Sequence, residues 1–541
     1  MTANVSDSAP DAVPDSGPVS VPAPGTDAID RSRTVAVVGT GTMGQGIAQV
    51  ALVAGHPVRL YDSAPGRAAE AVTALAARLD RLVEKGRMER TERDAAVARL
   101  HAAAEPAELA DAALVVEAIV ERLPVKQQLF AELEEIVGDD TLLATNTSSL
   151  SVTAIAGGLR LPGRFVGLHF FNPAPLLPLV EVVSGFATDA TAATRAYGTV
   201  KSWGKTPVRC ADTPGFIVNR IARPFYAEAL RVHEEGAADP ATIDAVLREC
   251  GGFRMGPFEL TDLIGQDVNE AVTRSVWDSF FQDPKFTPSL AQRRLVESAR
   301  LGRKSGQGWY PYGDGATAPE PHTAPPAAPP ASVTVQGDLY QARALVELFE
   351  KAAIEVEFGD DAVAGYPGWI ELPSGIRLFL ADGTSADDAE MPVVHFDLAL
   401  DFSTCERIAL APSATVDASG LQEAIGLFQA VGKKVSVIRD IPGMIVARTV
   451  AMLADFALDA TARAVADAAD IDTAMRLGVN YPRGPLAWGE ELGADWVLET
   501  LSNLHEEYPT GRYAPSQALR RRAAAERAAA EADAAAQEAT A

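Results

Sequence analysis

Hydrophobic positions along the chain follow two rhythms. Short β-branched runs such as "TVAVV" (Thr34–Val38) read as buried strands, and between them apolar residues recur every three or four positions, as on one face of a helix. The alternation continues through "PVRLYD" and a long Ala/Leu/Arg-rich helical stretch centred on "EKGRMER" (Glu84–Arg90). It goes on through the strand "ALVVEAIVE" (Ala113–Glu121), the helix "LPVKQQLFAELEEIV" and the strand-to-loop segment "TLLATNTSSLS". Two short strands, "GRFVGLHFF" and "LVEVVSG", close the series. Such alternation predicts a doubly wound parallel sheet. From "TPGFIVNRIARPFYAEALRVHEEG" onward the pattern turns helical, with Pro214 and Gly215 marking the change. These helices are expected to close over the carboxyl edge of the sheet, leaving a ligand cleft between the two.

Between the first strand and the first helix stand Gly39, Gly41 and Gly44, spaced G-x-G-x-x-G. Gly39 allows a tight turn, Gly41 lets backbone approach a phosphate, and Gly44 lets helix and strand pack closely, with the pyrophosphate on free N–H groups at the helix start. The second strand ends in Asp62, whose carboxylate suits the ribose hydroxyls of an adenosine and repels a 2′-phosphate. That combination predicts NAD rather than NADP.

His169 and Glu181 are equidistant from Pro175. If the two short strands form a hairpin, the residues face one another, and the carboxylate fixes the imidazole tautomer so that the free nitrogen serves as a general base. The spacing alone fits equally a strand-end histidine bonded to neighbouring backbone.

Charge and composition narrow the partners. The net charge of −26 argues against nucleic acid or an anionic membrane, and no apolar run reaches the length of a membrane span. Three cysteines, Cys210, Cys250 and Cys405, lie far apart with no disulfide framework or zinc spacing, so no metal is expected and a cytoplasmic location is.

The segments "VGTGTMGQGIAQVALVAGH", "VVEAIVE", "NTSSL", "GLHFFNPAP", "LVEVV", "DTPGFIVNR" and "MGPFEL" occur in one order over about residues 33–312. Together they resemble the L-3-hydroxyacyl-CoA dehydrogenase family. The resemblance implies NAD-dependent oxidation of a 3-hydroxyacyl-CoA, with His169 as catalytic base and Glu181 as its partner. It also implies substrate contacts from Ser148, Asn219 and Asn172. NAD contacts follow for Gly39, Gly41, Thr42, Met43, Gly44, Asp62, Glu121, Lys126 and Asn146, and the basic turn at Lys85 and Arg87 falls where the family meets coenzyme A. From the residues alone, Ser148 also reads as a helix cap and Glu121 with Lys126 as a surface ion pair. Two other functions remain consistent with these residues: a dehydrogenase of a small 3-hydroxy acid without coenzyme A, and a non-catalytic NAD-binding protein.

A repeat runs through the second half. "DTPGFIVNR" starts at Asp212 and "DIPGMIVAR" at Asp440, an offset of 228 that recurs at Ile243 and Ile471 and at Gly256 and Gly484. The same offset sets Asp397 against His169, Ala409 against Glu181 and Ala447 against Asn219, so base, acid and amide are missing. The fold class expected is α/β plus all-α. A disordered tail (1–32) precedes an NAD-binding domain (33–212) and a helical domain (213–312). A Pro/Ala linker (313–332) leads to a degenerate dinucleotide-type domain (333–438), a second helical domain (439–520) and a charged, solvated tail (521–541). The two helical copies are expected to pack together about a pseudo-two-fold axis. The chain is then a monomer with an internal pseudo-dimer, or a homodimer, that binds one NAD.

Overall fold

The computed structural model describes residues 28–359 and 368–540. Its first sheet begins β1 (Thr34–Val38), α1 (Thr42–Val53), β2 (Val58–Tyr61), α2 (Arg67–Glu84), α3 (Arg90–Val97) and β3 (Leu100–Ala102). It continues β4 (Ala112–Glu117), α4 (Leu123–Ile136), β5 (Leu142–Thr145), α5 (Val152–Ala156) and β6 (Phe165–Phe170), then β7 (Leu179–Ser184), α6 (Ala190–Ser202) and β8 (Thr206–Ala211). The strand order is β3-β2-β1-β4-β5-β6-β7-β8. Neighbours are parallel except β6 and β7, whose antiparallel register sets His169 against Glu181. The continuous apolar runs of β1 and β4 are buried on both faces, as a sheet covered by helices on two sides requires.

The first helical unit holds α7 (Val218–Ile221), α8 (Arg223–Glu234), α9 (Pro240–Glu249), α10 (Pro257–Ile264), α11 (Gln266–Ser279) and α12 (Leu290–Glu297). A second sheet follows: β9 (Ser332–Gln336), α13 (Ala344–Lys351), β10 (Glu355–Phe358), β11 (Trp369–Glu371), β12 (Arg377–Leu380), β13 (Val393–Phe396), β14 (Arg407–Pro412), α14 (Ala418–Ala430) and β15 (Lys434–Val437). The chain ends in α15 (Val446–Ala462), α16 (Ala468–Gly478), α17 (Pro485–Leu492), α18 (Ala494–Glu507) and α19 (Gln517–Thr540). Among the described residues, no helix is long and apolar enough to cross a membrane.

The 228-residue offset holds for whole elements ahead of the helical units. Strand β13, strand β14 and helix α14 reproduce β6, β7 and α6 in register, antiparallel step included. Backbone conformation repeats as well: Gly215 and Phe216, at φ 75° and 49°, correspond to Gly443 and Met444, at 69° and 48°. A non-glycine residue in the left-handed region is costly, so its recurrence marks a turn the fold requires.

The two halves embrace about a pseudo-two-fold axis. Ala211 N–H donates to the Val465 carbonyl at 2.7 Å, and the equivalent Arg439 N–H donates to the equivalent Ala237 carbonyl at 3.0 Å. The equivalent arginines Arg220 and Arg448 each reach an acid on the other copy, Asp459 at 3.0 Å and Glu235 at 3.4 Å. At the centre Arg512 pairs with Glu228, both fully buried, and Tyr513 donates to the same carboxylate at 2.7 Å.

Several sequence expectations need correction. Residues 28–32 are not tail: Ile29 is buried and its N–H donates to Thr199 Oγ1 at 3.0 Å, while 1–27 lie outside the described residues. "EKGRMER" is not the middle of a helix, because Gly86 takes φ 64° and breaks α2 from α3. Strand β4 stops at Glu117, whose carboxylate turns back onto the Ile119 N–H at 2.6 Å. The Pro/Ala linker does more than span a distance, because it is docked: Ala324 N–H joins edge strand β15 at the Val435 carbonyl, and Gln429 bonds Ala324, Pro325 and Ala327. Helix α19 begins inside the expected second helical domain and buries Leu519 and Ala523 before running into solvent.

Burial works against the Glu228 charge, yet Arg512 and Arg448 hold its carboxyl below the ordinary value. Its contribution is thus present at neutral pH and lost as pH falls through that lowered value. Replacing Arg512 by Ala strands a buried carboxylate and should cost about 3–5 kcal/mol, with a clearly lower melting temperature. The double substitution Glu228→Leu with Arg512→Met should recover most of the loss. An R512A protein that melts with the wild type would remove this pair from the energetics of the interface.

Candidate active site

Strands β1 and β4 are adjacent although β2 and β3 separate them in sequence, so the sheet reverses its winding there and opens a crevice at their carboxyl ends. The glycine turn fills that crevice's rim. Gly39 sits at φ 97°, and a Cβ on it would lie 2.5 Å from the Ala118 carbonyl oxygen. A Cβ on Gly44 would lie 1.8 Å from the Gly39 oxygen, so helix α1 can seat on the turn only with glycine there. Around Gly41, in contrast, a Cβ meets no protein atom within 4 Å. Helix α1 starts here with no side-chain cap, and Gly41 and Thr42 are exposed while Met43 is half-buried. Open space in front of uncapped N–H groups fits the pyrophosphate of a dinucleotide.

Asp62 at the end of β2 holds the turn in place. One carboxylate oxygen accepts from Thr40 N–H at 3.0 Å and Thr40 Oγ1 at 2.6 Å, and the other from Ala64 N–H at 3.1 Å. Partial burial opposes its charge, but these donors, Thr40 first, keep the carboxyl below its ordinary range. Asp62 is therefore anionic at neutral pH beside the expected adenosine ribose.

Across the crevice, Glu121 organises the loop after β5. One of its oxygens accepts from Thr147 Oγ1 at 2.5 Å, Ser148 N–H at 3.0 Å and Ser149 N–H at 3.1 Å. Lys126, 1% exposed, lies between Glu121 and the buried Glu117. Burial disfavours the Glu121 charge, yet Lys126 and the hydroxyls win and depress its pKa. Lys126 is thus an internal cation under a solvent-exposed Glu121, not one half of an ordinary surface ion pair. Glu117 was not singled out from the sequence; a lone carboxylate inside the apolar run of β4 was the available signal. The helix-capping alternative for Ser148 fails, because the cap of α5 is Ser151, whose Oγ accepts from Ala154 N–H at 3.1 Å. Ser148 Oγ is left without a hydrogen bond among the described residues. Asn146 Oδ1 accepts from Phe170 N–H at 2.9 Å, tying this loop to the end of β6.

His169 and Glu181 meet across the β6–β7 pair. Nδ1 lies 2.6 Å from Glu181 Oε2, and Nε2 has no hydrogen bond among the described residues. The other Glu181 oxygen accepts from Ile217 and Val218 N–H at 3.1 and 2.9 Å, where the chain enters α7. Phe171 and Phe216 flank the imidazole at centroid distances of 4.5 and 5.7 Å. Asn219, half-buried on α7, and Asn172, exposed just past β6, both have side-chain amides without a hydrogen bond among the described residues. Lys85 and Arg87 stand exposed on the α2–α3 turn and bond to none of these residues.

In the second copy the carboxylate has changed strands. Asp397 occupies the place of His169, and its oxygens accept from Ile445, Val446 and Ala447 N–H at 3.1, 2.8 and 3.0 Å. Ile445 and Val446 are the equivalents of Ile217 and Val218. The structural half of the Glu181 role is therefore kept from the opposite strand, and among the described residues no imidazole hydrogen-bonds to Asp397.

Comparison with known proteins agrees with this architecture. The 3-hydroxyacyl-CoA dehydrogenase NAD-binding domain matches residues 34–213, and the corresponding C-terminal domain matches twice, at 215–312 and 443–536. A 3-hydroxybutyryl-CoA dehydrogenase reduced Rossmann-fold domain matches 378–442. The 3-hydroxyadipyl-CoA dehydrogenase of Escherichia coli K12 is 45% identical over 91% of this chain and 97% of its own. A crystal structure of 3-hydroxybutyryl-CoA dehydrogenase from E. coli K12 superposes with TM-score 0.83 at 43% identity, covering 92% of this chain and 99% of that one. The shorter (S)-3-hydroxybutyryl-CoA dehydrogenase of Ralstonia eutropha, 37% identical with TM-score 0.51, covers 52% of this chain and 99% of its own. The chain belongs to the 3-hydroxyacyl-CoA dehydrogenase family, with a glycine turn fit for NAD and a second copy of the helical unit after the first.

Proposed function

We propose that the chain interconverts an L-3-hydroxyacyl-CoA and its 3-oxoacyl-CoA in the cytoplasm, with His169 as the general base. The observation that carries this reading is the His169–Glu181 bond at 2.6 Å with Nε2 left free. Donation of Nδ1–H to the carboxylate fixes the tautomer whose Nε2 is unprotonated, and the imidazolium formed when Nε2 takes the C3 hydroxyl proton lies against that negative charge. Bound NAD supplies the acceptor for the hydride that leaves the same carbon. In the reverse direction the imidazolium returns the proton to the carbonyl oxygen. The free Ser148 hydroxyl and Asn219 amide are assigned to that oxygen, and Asn172 to the substrate beside it. Lys85 and Arg87 are assigned to the phosphates of coenzyme A.

The two relatives that span the chain suggest 3-hydroxyadipyl-CoA and 3-hydroxybutyryl-CoA as first substrates, assayed by NADH absorbance. A free 3-hydroxy acid turned over as fast as its thioester would favour the reading without coenzyme A, and no turnover of any would favour the non-catalytic one.

His169→Ala should lower kcat by about 100-fold or more while NADH affinity is unchanged, since a base is lost and no cofactor contact is. Wild-type turnover of acetoacetyl-CoA by the variant would sink the assignment.

Glu181→Gln should be nearly as damaging. The single amide oxygen can serve the Ile217 and Val218 N–H groups or the imidazole, not both. If it keeps the backbone donors, the NH2 group faces Nδ1 and forces the proton onto Nε2, abolishing the base. A fall in kcat of about 100-fold is expected, and full activity in E181Q would contradict the assigned tautomer.

Asp62→Ala should raise KM for NAD and narrow the preference over NADP, because one carboxylate both binds ribose and repels phosphate. A wild-type enzyme that already prefers NADP would refute this.

A further inference from the structure

The sequence places Cys250 and Cys405 155 residues apart, and the fold sets them side by side. Cys250 caps the C-terminus of α9, and Cys405 lies in the loop between β13 and β14. Two backbone bonds dock that loop on the helix end: Glu406 N–H donates to the Glu249 carbonyl and Leu400 N–H to the Cys250 carbonyl, both at 3.0 Å. These bonds bring the two thiols close enough to act on one another. We infer that Cys405 and Cys250 form a peroxide-oxidisable dithiol whose product is a disulfide joining the first helical unit to the second sheet.

Their surroundings divide the roles. Cys405 is half-buried on a loop whose Asp401, Ser403, Thr404 and Glu406 are exposed, so an oxidant can reach it. Lys433, almost fully buried, donates from Nζ to the Cys405 carbonyl at 2.7 Å and puts a cation beside the sulfur. The Cys250 thiol and the Lys433 charge outweigh burial and the nearby Asp401 carboxylate, and lower the Cys405 thiol below its ordinary value. Cys250 is buried, with its sulfur 3.3 Å from the Leu398 carbonyl, and is pushed up by its interaction with Cys405 and by burial. An accessible thiolate next to a protected thiol is the arrangement of an attacking and a resolving cysteine. Cys210 offers the contrast: it is buried near Glu181, Asp212 and Asp470, and burial first, then these acids, raise its thiol well above the ordinary value.

The oxidant is a hydroperoxide. The Cys405 sulfur attacks the peroxide oxygen; the S–O bond forms as the O–O bond breaks, the alcohol or water leaves with the thiol proton, and sulfur is oxidised by two electrons to a sulfenic acid. The Cys250 sulfur then attacks the Cys405 sulfur, the S–S bond forms, the S–O bond breaks, and water leaves with the Cys250 proton. A dithiol reductant reverses the result.

The test treats the full chain with hydrogen peroxide and counts thiols before and after dithiothreitol. The three free thiols should fall to one, with the Cys250 and Cys405 peptides linked in a non-reducing digest and the mass lower by two hydrogens. Cys250→Ser should leave a sulfenic acid at Cys405 that dimedone captures, and Cys405→Ser should slow peroxide consumption at least tenfold. Retention of all three thiols, modification of Cys210 first, or equal reactivity of C405S would each overturn the proposal.

Discussion

One carboxylate joins the chemistry of this protein to its architecture. Glu181 sits fully buried with one oxygen on His169 and the other on two backbone N–H groups at the start of α7. The same group therefore orients an imidazole on the sheet and pins the helical unit that closes the cleft. A buried carboxylate is stable only when its lone pairs are met, so neither half can shift without exposing the other to an unmet charge. The second copy makes the division visible. There Asp397, reaching from the opposite strand, keeps the backbone donors, and its carboxyl is pushed up to about 6 by burial against four N–H groups that pull the other way.

The crevice itself is built from small groups held by larger ones. Glycine at positions 39 and 44 lets α1 seat on the sheet, and the open space before Gly41 follows from that seating. Asp62 and Glu121 anchor two loops, one bonded to Thr40 and the other to the segment from Thr147 to Ser149. Lys126 buried beneath Glu121 keeps that second anchor charged and fixed, which leaves Ser148 Oγ free. The pre-set positions of these donors spare the site the entropy of ordering them when a ligand arrives.

Pseudo-symmetry explains why an altered copy persists. Helix α16 of the second helical unit lies on β7 and β8, so that Asp470 accepts the Arg209 N–H at 2.7 Å and Gly478 leaves room for Leu179 and Val218. Helix α9 of the first unit lies in the same way on β14 of the second sheet. Each helical copy thus covers the sheet of the other, and the strand bearing Glu181 is backed by residues from the half that lacks the imidazole. An edge strand and an apolar helix face both need such cover in water.

Local patterning decided much of this before any tertiary contact formed. The apolar run of β1, the glycine spacing and the acid ending β2 define a dinucleotide turn within 29 consecutive residues, Thr34 to Asp62, because strand, turn and helix start are short-range properties. The equal spacing of His169 and Glu181 about Pro175 was readable because hairpin register depends on nearby residues, and the fixed offset exposed the duplication. Other features depend on segments far apart in the chain, which no local periodicity encodes. Only the assembled fold shows that Lys126 is internal, that Ser151 and not Ser148 caps a helix, that the Pro/Ala segment lies along an edge strand, and that Cys250 meets Cys405. The helical copies exchange sheets, and the carboxylate moves from one strand to its neighbour, because burial is settled by what the whole chain packs around each group.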